Sequence, residues 1–125
     1  MINKVDHIGI AVKNLEDAIE SYKKLGLMVD RLEDMPDYGC KIAFLPCGES
    51  LIELIEPYVP MDFEGLHHIC YEVDDIHRAY QVFSNEFPLR DPAPKPGAGN
   101  TTVFFAERES LCNVETEFVE MSAKE

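Results

Sequence analysis

Two histidines and two glutamates stand inside strand-like stretches: His7 in VDHIGIAV, Glu53 in SLIELIE, His68 in LHHICYEV and Glu117 in NVETEFVEM. Such side chains rarely sit among apolar neighbours unless they are paired or ligating. Two imidazole nitrogens and two carboxylate oxygens form a donor set of borderline softness. It suits Zn²⁺, Ni²⁺, Co²⁺, Fe²⁺ or Mn²⁺ better than Ca²⁺ or Mg²⁺. Four protein ligands in octahedral geometry leave two positions for water or substrate, which is what catalysis needs. The four residues are therefore expected to hold one divalent ion.

A duplication explains why these four should act together. Adding 61 to the residue number maps His7-Ile8 onto His68-Ile69, Val12 onto Val73, Leu15 onto Ile76, Ala18 onto Ala79, Tyr22 onto Phe83 and Phe44 onto Phe105. Beyond Phe44 the shift grows to 64, which maps Glu53 onto Glu117 and Glu56 onto Glu120. Self-similarity at a fixed spacing is the mark of repeated structural units.

The elements repeat in the same order. Residues 4–12 read as a strand. Asn14 can cap a helix carrying Leu15, Ala18, Ile19 and Tyr22 on one face, and Gly26 ends it. Strand-like runs follow at 27–33, 40–45 and 50–56. The pattern restarts with a strand at 66–73. Asp74 or Asp75 caps a helix through Ile76, Ala79, Tyr80 and Phe83. A proline- and glycine-rich loop comes next, then strands near 101–107 and 113–121. The expected fold class is α+β: two tandem βαβββ modules forming a curved mixed sheet around a metal cleft. The modules span 1–57 and 65–122, with a linker at 58–64, in one domain of 1–125.

Alternation along a strand separates ligands from bystanders. His7 shares its face with Gly9 and Ala11, which are small and leave room. His68 shares its face with Cys70, which matches Gly9 and so is not the expected ligand. Glu56 and Glu120 fall on the opposite face from Glu53 and Glu117 and are expected to be solvated. Glu115 shares the face of Glu117 and competes with it. His67 points away from His68, and His77 lies on a helix and is expected to be exposed.

Composition bounds the rest. The chain has 125 residues, 46% of them hydrophobic, enough for one packed core. With 24 acidic residues against 11 basic ones the net charge is -13, which disfavours nucleic acid as a partner. No stretch approaches the roughly 18 apolar residues of a membrane span. The N-terminus lacks an apolar signal region. A cytoplasmic protein with no membrane partner is expected. The four cysteines make no Cys-x-x-Cys pair and are expected to be reduced.

The stretches VDHIGIAVKNLEDAIESY, KIAFLPCGESLIELIEP, GLHHICYEVDDI and PKPGAGNTTVFF resemble the vicinal oxygen chelate superfamily, over about residues 3–121. More closely they look like its methylmalonyl-CoA epimerase and glyoxalase I branch. The resemblance implies a divalent metal held by four side chains. It carries residue by residue onto His7, Glu53, His68 and Glu117. It also implies a small-molecule substrate, an acyl thioester or a hemithioacetal, and a homodimer by analogy. The shared chemical step is removal of a proton beside a carbonyl, with the resulting enediolate stabilised by the metal. Glu117 is the first choice for the acid/base role, with Glu53 as its partner. An epimerase acting on an acyl thioester is expected first. A glyoxalase I-type lactoylglutathione lyase is the alternative, and after it a dioxygenase or a metal-free binding or resistance protein. On the strand after the central glycine, where some epimerases carry a further glutamate, this chain has Ile42.

Overall fold

The computed structural model describes residues Met1–Met121, so the expected end of the second module at residue 122 lies outside the described residues. Along the chain come β1 (Ile2–Ala11), α1 (Leu15–Lys23), β2 (Arg31–Met35), β3 (Cys40–Cys47) and β4 (Ser50–Pro57). There follow β5 (Gly65–Val73), α2 (Ile76–Ser84), β6 (Lys95–Pro96), β7 (Thr101–Ala106) and β8 (Thr116–Met121). The order is βαβββ twice over, an α+β fold as expected. Among the described residues no helix is long and apolar enough to cross a membrane.

The chain divides into two compact units, His7–His67 and Met1–Asp6 together with the described residues from His68 on. In the first unit β4 is flanked by β1, which runs parallel to it, and by antiparallel β3; β2 lies antiparallel outside β3. Helix α1 packs over one face of this sheet, on a core of Val12, Leu15, Ala43, Leu45 and Leu54. Asn14 caps it, accepting from the Asp17 N–H at 2.9 Å. The expected strand at 27–33 is displaced to Arg31–Met35. Leu27 and Val29 instead pack against the helix-side core. Pro36 then opens a tight turn that stops the strand.

The second unit repeats the scheme. β8 is flanked by parallel β5 and antiparallel β7, with β6 outside β7. Helix α2 covers one face, on Val73, Ile76, Ala79, Phe104, Ala106 and Phe118. Aromatic rings fill much of this core: Tyr80 meets Phe104 edge-on at 5.1 Å, and Phe104 stacks on Phe118 at 4.9 Å. Asp75 caps α2, accepting from the Arg78 N–H at 3.1 Å. The N-terminal segment is tied to this unit through Asn3, whose Nδ2 donates to Glu72 Oε2 at 3.2 Å, and through the Met1 carbonyl, which accepts from Asp74 N–H.

Strand β6 is only two residues long, because proline at 96 removes a ladder donor. Strand β8 begins at Thr116 rather than near 113. Cys112 and Asn113 take left-handed backbone angles (φ 60° and 64°) after a short turn at Arg108–Leu111, so pairing cannot start there.

Candidate functional site

In each unit one sheet face is taken by the helix, and the other carries a His–Glu pair. In the first unit Gly9 is the direct neighbour of Glu53 across the parallel β1–β4 ladder. His7, two residues before Gly9, points to the same face. Because Gly9 has no side chain, the Glu53 carboxylate can lean across it, and His7 Nε2 lies 3.3 Å from Glu53 Oε2. Both side chains are nearly buried, at 12% and 11% exposure.

The second unit repeats the arrangement with Cys70 in the place of Gly9. Cys70 pairs with Glu117 across the parallel β5–β8 ladder, and His68 Nε2 lies 3.5 Å from Glu117 Oε1. The structure thus brings His7 to Glu53 and His68 to Glu117. Two donor atoms that each sit ~2.1 Å from one ion, at the angles of tetrahedral or octahedral coordination, lie roughly 3.0–3.4 Å apart. The first pair falls in that range and the second lies ~0.1 Å beyond it, and the chemistry of both fits ligation of a divalent ion.

The residues set aside in the sequence have definite places. Glu56 and Glu120 are not solvated as expected. Glu56 Oε1 accepts from the Leu15 N–H at 2.7 Å, and Glu120 Oε1 accepts from the Ile76 N–H at 2.8 Å. Leu15 and Ile76 are the first residues of α1 and α2, where backbone donors lack partners within the helix. Each glutamate therefore closes the helix of its own unit, on the face opposite the His–Glu pair. Glu115 competed with Glu117 for the ligand role, but the structure gives it another partner: it takes a bond from Arg90 at 2.9 Å. His77 is exposed on α2 and His67 is half-buried on β5. Cys70 is fully buried beside Val103 and Val119.

The aromatic and cationic groups beside the two glutamates take their places only in the fold. Phe44 stands directly across β3–β4 from Glu53, and Phe105 directly across β7–β8 from Glu117. The Arg31 guanidinium lies over Phe44 at 4.3 Å and that of Arg90 over Phe105 at 4.2 Å. Arg31 also pairs with Glu33 at 3.0 Å. The Phe44 and Phe105 match is visible as a 61-residue shift and Arg90 is one of the few basic residues the sequence offers to an anionic substrate, but Arg31 and Arg90 do not fall on that shift, so their places over the two rings are not legible from it.

Burial also shapes a thiol near Glu53. It pushes the Cys40 thiol above its ordinary range, and the Glu53 and Asp34 carboxylates add to the rise. Asp34 itself accepts the Tyr58 hydroxyl, and that hydrogen bond is the main reason Tyr58 is pushed up to about 12. No disulfide joins any of the four cysteines.

Known proteins place this architecture. Residues 6–105 match the Glyoxalase/Bleomycin resistance protein/Dioxygenase superfamily. The chain is 32% identical over 131 residues to the mitochondrial methylmalonyl-CoA epimerase of Dictyostelium discoideum, covering 95% of this chain and 79% of that one. It is 34% identical over 134 residues to the ethylmalonyl-CoA/methylmalonyl-CoA epimerase of Cereibacter sphaeroides, covering 95% of this chain and all of that one. Among solved structures, a hypothetical protein from Bacillus halodurans C-125 superposes with a TM-score of 0.87 at 37% identity, over 98% of this chain and 96% of that one. The chain belongs to the glyoxalase/bleomycin resistance/dioxygenase superfamily, also called the vicinal oxygen chelate superfamily.

Proposed function

We propose that this protein is a metal-dependent epimerase of 2-substituted malonyl-CoA thioesters, with methylmalonyl-CoA as its substrate. The observation that carries the proposal is the duplicated His–Glu pair, His7 with Glu53 at 3.3 Å and His68 with Glu117 at 3.5 Å, close to the spacing of two ligands on one ion. Relatives named as methylmalonyl-CoA epimerases, aligned over 95% of this chain, support the choice of substrate. His7, Glu53, His68 and Glu117 hold one divalent ion in this reading. When bound, that ion supplies Lewis-acid polarisation of the substrate oxygens.

The protein groups do the proton work. Epimerisation at C2 takes a proton from one face and returns one to the other. Glu117, as carboxylate, takes the C2 proton and ends protonated; Glu53, its repeat partner, starts protonated and gives its proton to the other face of that carbon, and exchange with solvent then resets both groups. Both carboxylates are nearly buried, which excludes competing water and strengthens their interaction with developing charge. In this reading the protein works in the cytoplasm as a homodimer, for which light scattering should return twice the chain mass.

The test is hydrogen exchange at C2. In heavy water, metal-loaded protein should incorporate deuterium into methylmalonyl-CoA, followed by NMR. Glu117→Gln should slow incorporation at least ~100-fold, the lower bound for losing a positioned acid/base group. Absence of incorporation by wild-type protein across the first-row divalent ions would overturn the proposal.

A further inference from the structure

We propose that Arg90 and Lys95, gathered over the Phe105 ring, form an anion-binding subsite that takes the free carboxylate of the thioester substrate beside Glu117. The inference deepens the epimerase reading above and rests on it. The chain carries a net charge of -13, so a polyanionic substrate needs a local concentration of positive charge. In the second unit two cations share one ring. Arg90 lies 4.2 Å from the Phe105 centroid and Lys95 lies 5.4 Å from it.

The loop that carries them is fixed on both sides of Phe105. The Arg90 N–H donates to the Phe105 carbonyl at 2.9 Å. The Asp91 carboxylate, itself buried, accepts from the Phe105 N–H at 2.7 Å. The Tyr80 hydroxyl, from helix α2, donates to the Asp91 carbonyl at 2.6 Å. Lys95 Nζ lies 2.8 Å from the other Asp91 oxygen. Isolated exposed ion pairs add little to stability, so such pairs alone give small reason to build this cluster. Preorganised donors beside a reacting group are what recognition requires.

Position selects the ligand group. Phe105 is the direct cross-strand neighbour of Glu117. Neighbouring Cα atoms in an antiparallel pair are about 4.5–5.5 Å apart. Arg90 lies over that ring and also reaches Glu115, two residues before Glu117 and on the same face, so an anion on Arg90 is on the Glu117 side of the sheet, where a carboxylate attached to the reacting carbon would lie. The phosphates of coenzyme A are separated from that carbon by the whole pantetheine arm. Arg90 offers a planar fork of five N–H donors, and its bond to Glu115 uses one nitrogen, leaving an edge able to grip a carboxylate in two places.

The test compares two thioesters in the C2 exchange assay: methylmalonyl-CoA, and the methylmalonyl thioester of N-acetylcysteamine, which keeps the carboxylate and lacks every phosphate. Arg90→Gln and Lys95→Gln should raise KM at least tenfold for both substrates, with kcat changed far less. Arg90→Lys should recover part of the loss. An unchanged KM for both overturns the subsite. A penalty confined to the coenzyme A thioester assigns the anion to a phosphate and overturns the carboxylate. Should wild-type protein exchange neither thioester, the epimerase reading fails on its own. Calorimetry of methylmalonate with metal-free protein then decides the subsite: tenfold weaker binding to Arg90→Gln supports it, and equal binding overturns it.

Discussion

Glu53 and Glu56 are three residues apart on one strand, yet they should fail in opposite ways. Glu56 lies on the helix side of its sheet, and its carboxylate accepts the Leu15 N–H at 2.7 Å, where Leu15 is only 9% exposed. Glu56→Ala leaves that donor short of its partner, at a cost of about 1–3 kcal/mol. It also removes a negative charge from a helix N-terminus, worth about 0.3–1 kcal/mol. The expected loss is about 2 kcal/mol. For a domain of this length that lowers Tm by roughly 6–10 °C. Glu56→Gln keeps an oxygen acceptor and loses only the charge, so it should melt between the other two. Both variants should keep the activity of the fraction that is folded. Glu53→Gln should do the reverse: activity falls at least ~100-fold, while the helix closure is untouched. The same contrast should hold for Glu120, which closes α2 at 2.8 Å, against Glu117. Urea or thermal unfolding followed by circular dichroism, beside C2 exchange at a temperature where every variant is folded, decides it. A Glu56→Ala protein that melts with the wild type, or one that loses activity while folded, would refute the assignment of faces.

Two further predictions concern groups whose surroundings differ. Cys47 and Cys112 are exposed, so they should react with a thiol reagent within minutes, while buried Cys40 and Cys70 should label only on unfolding. Mass spectrometry of partly labelled protein at pH 8 checks this, and early modification of Cys40 would contradict its burial and its raised pKa. One of the five tyrosines, Tyr58, should ionise only near pH 12, because its hydroxyl donates to Asp34. Its neutral form is favoured in the folded state, so the stabilisation is full below about pH 10 and is lost as pH rises from 10 to about 12. Ultraviolet titration of Tyr58→Phe should lack that late step.

Much of this architecture was legible because the chain states it twice. The strand histidines, the matched glutamates and the capping residues Asn14 and Asp75 recur at fixed shifts, and local rules give each its element. The helix-side function of Glu56 and Glu120 was not legible. Alternation gave their face correctly, but only the path of α1 and α2 over that face puts a helix N-terminus within reach of each carboxylate. Alternation likewise left Glu115 beside Glu117 with no means of separating them. What separates them is a long-range contact: Arg90, 25 residues upstream, reaches Glu115. Strand β2 was misplaced because Leu27 and Val29 look like strand residues, yet their burial is spent in a connection packed on the helix-side core.

The two halves agree where folding makes the same demand on both, and they part where a substrate makes unequal demands. Each half needs its helix closed, and each does so with a glutamate three residues after the site glutamate. Each site glutamate needs a small neighbour on the adjoining strand, met by Gly9 in one half and Cys70 in the other. Each faces a phenylalanine covered by arginine. Beyond that the symmetry fails. Arg31 is matched by Glu33 on its own strand. Arg90 is joined by Lys95, on a loop pinned to Phe105 through Asp91 and Tyr80. A metal held by four repeated ligands has no reason to need that difference. A substrate whose reacting carbon carries a thioester on one side and a carboxylate on the other does, because its two ends must be told apart. The added lysine and its loop in the second half are where such a chain would be expected to diverge after duplication, and that asymmetry is the reason the proposed carboxylate subsite is assigned to the half that holds Glu117 rather than the half that holds Glu53.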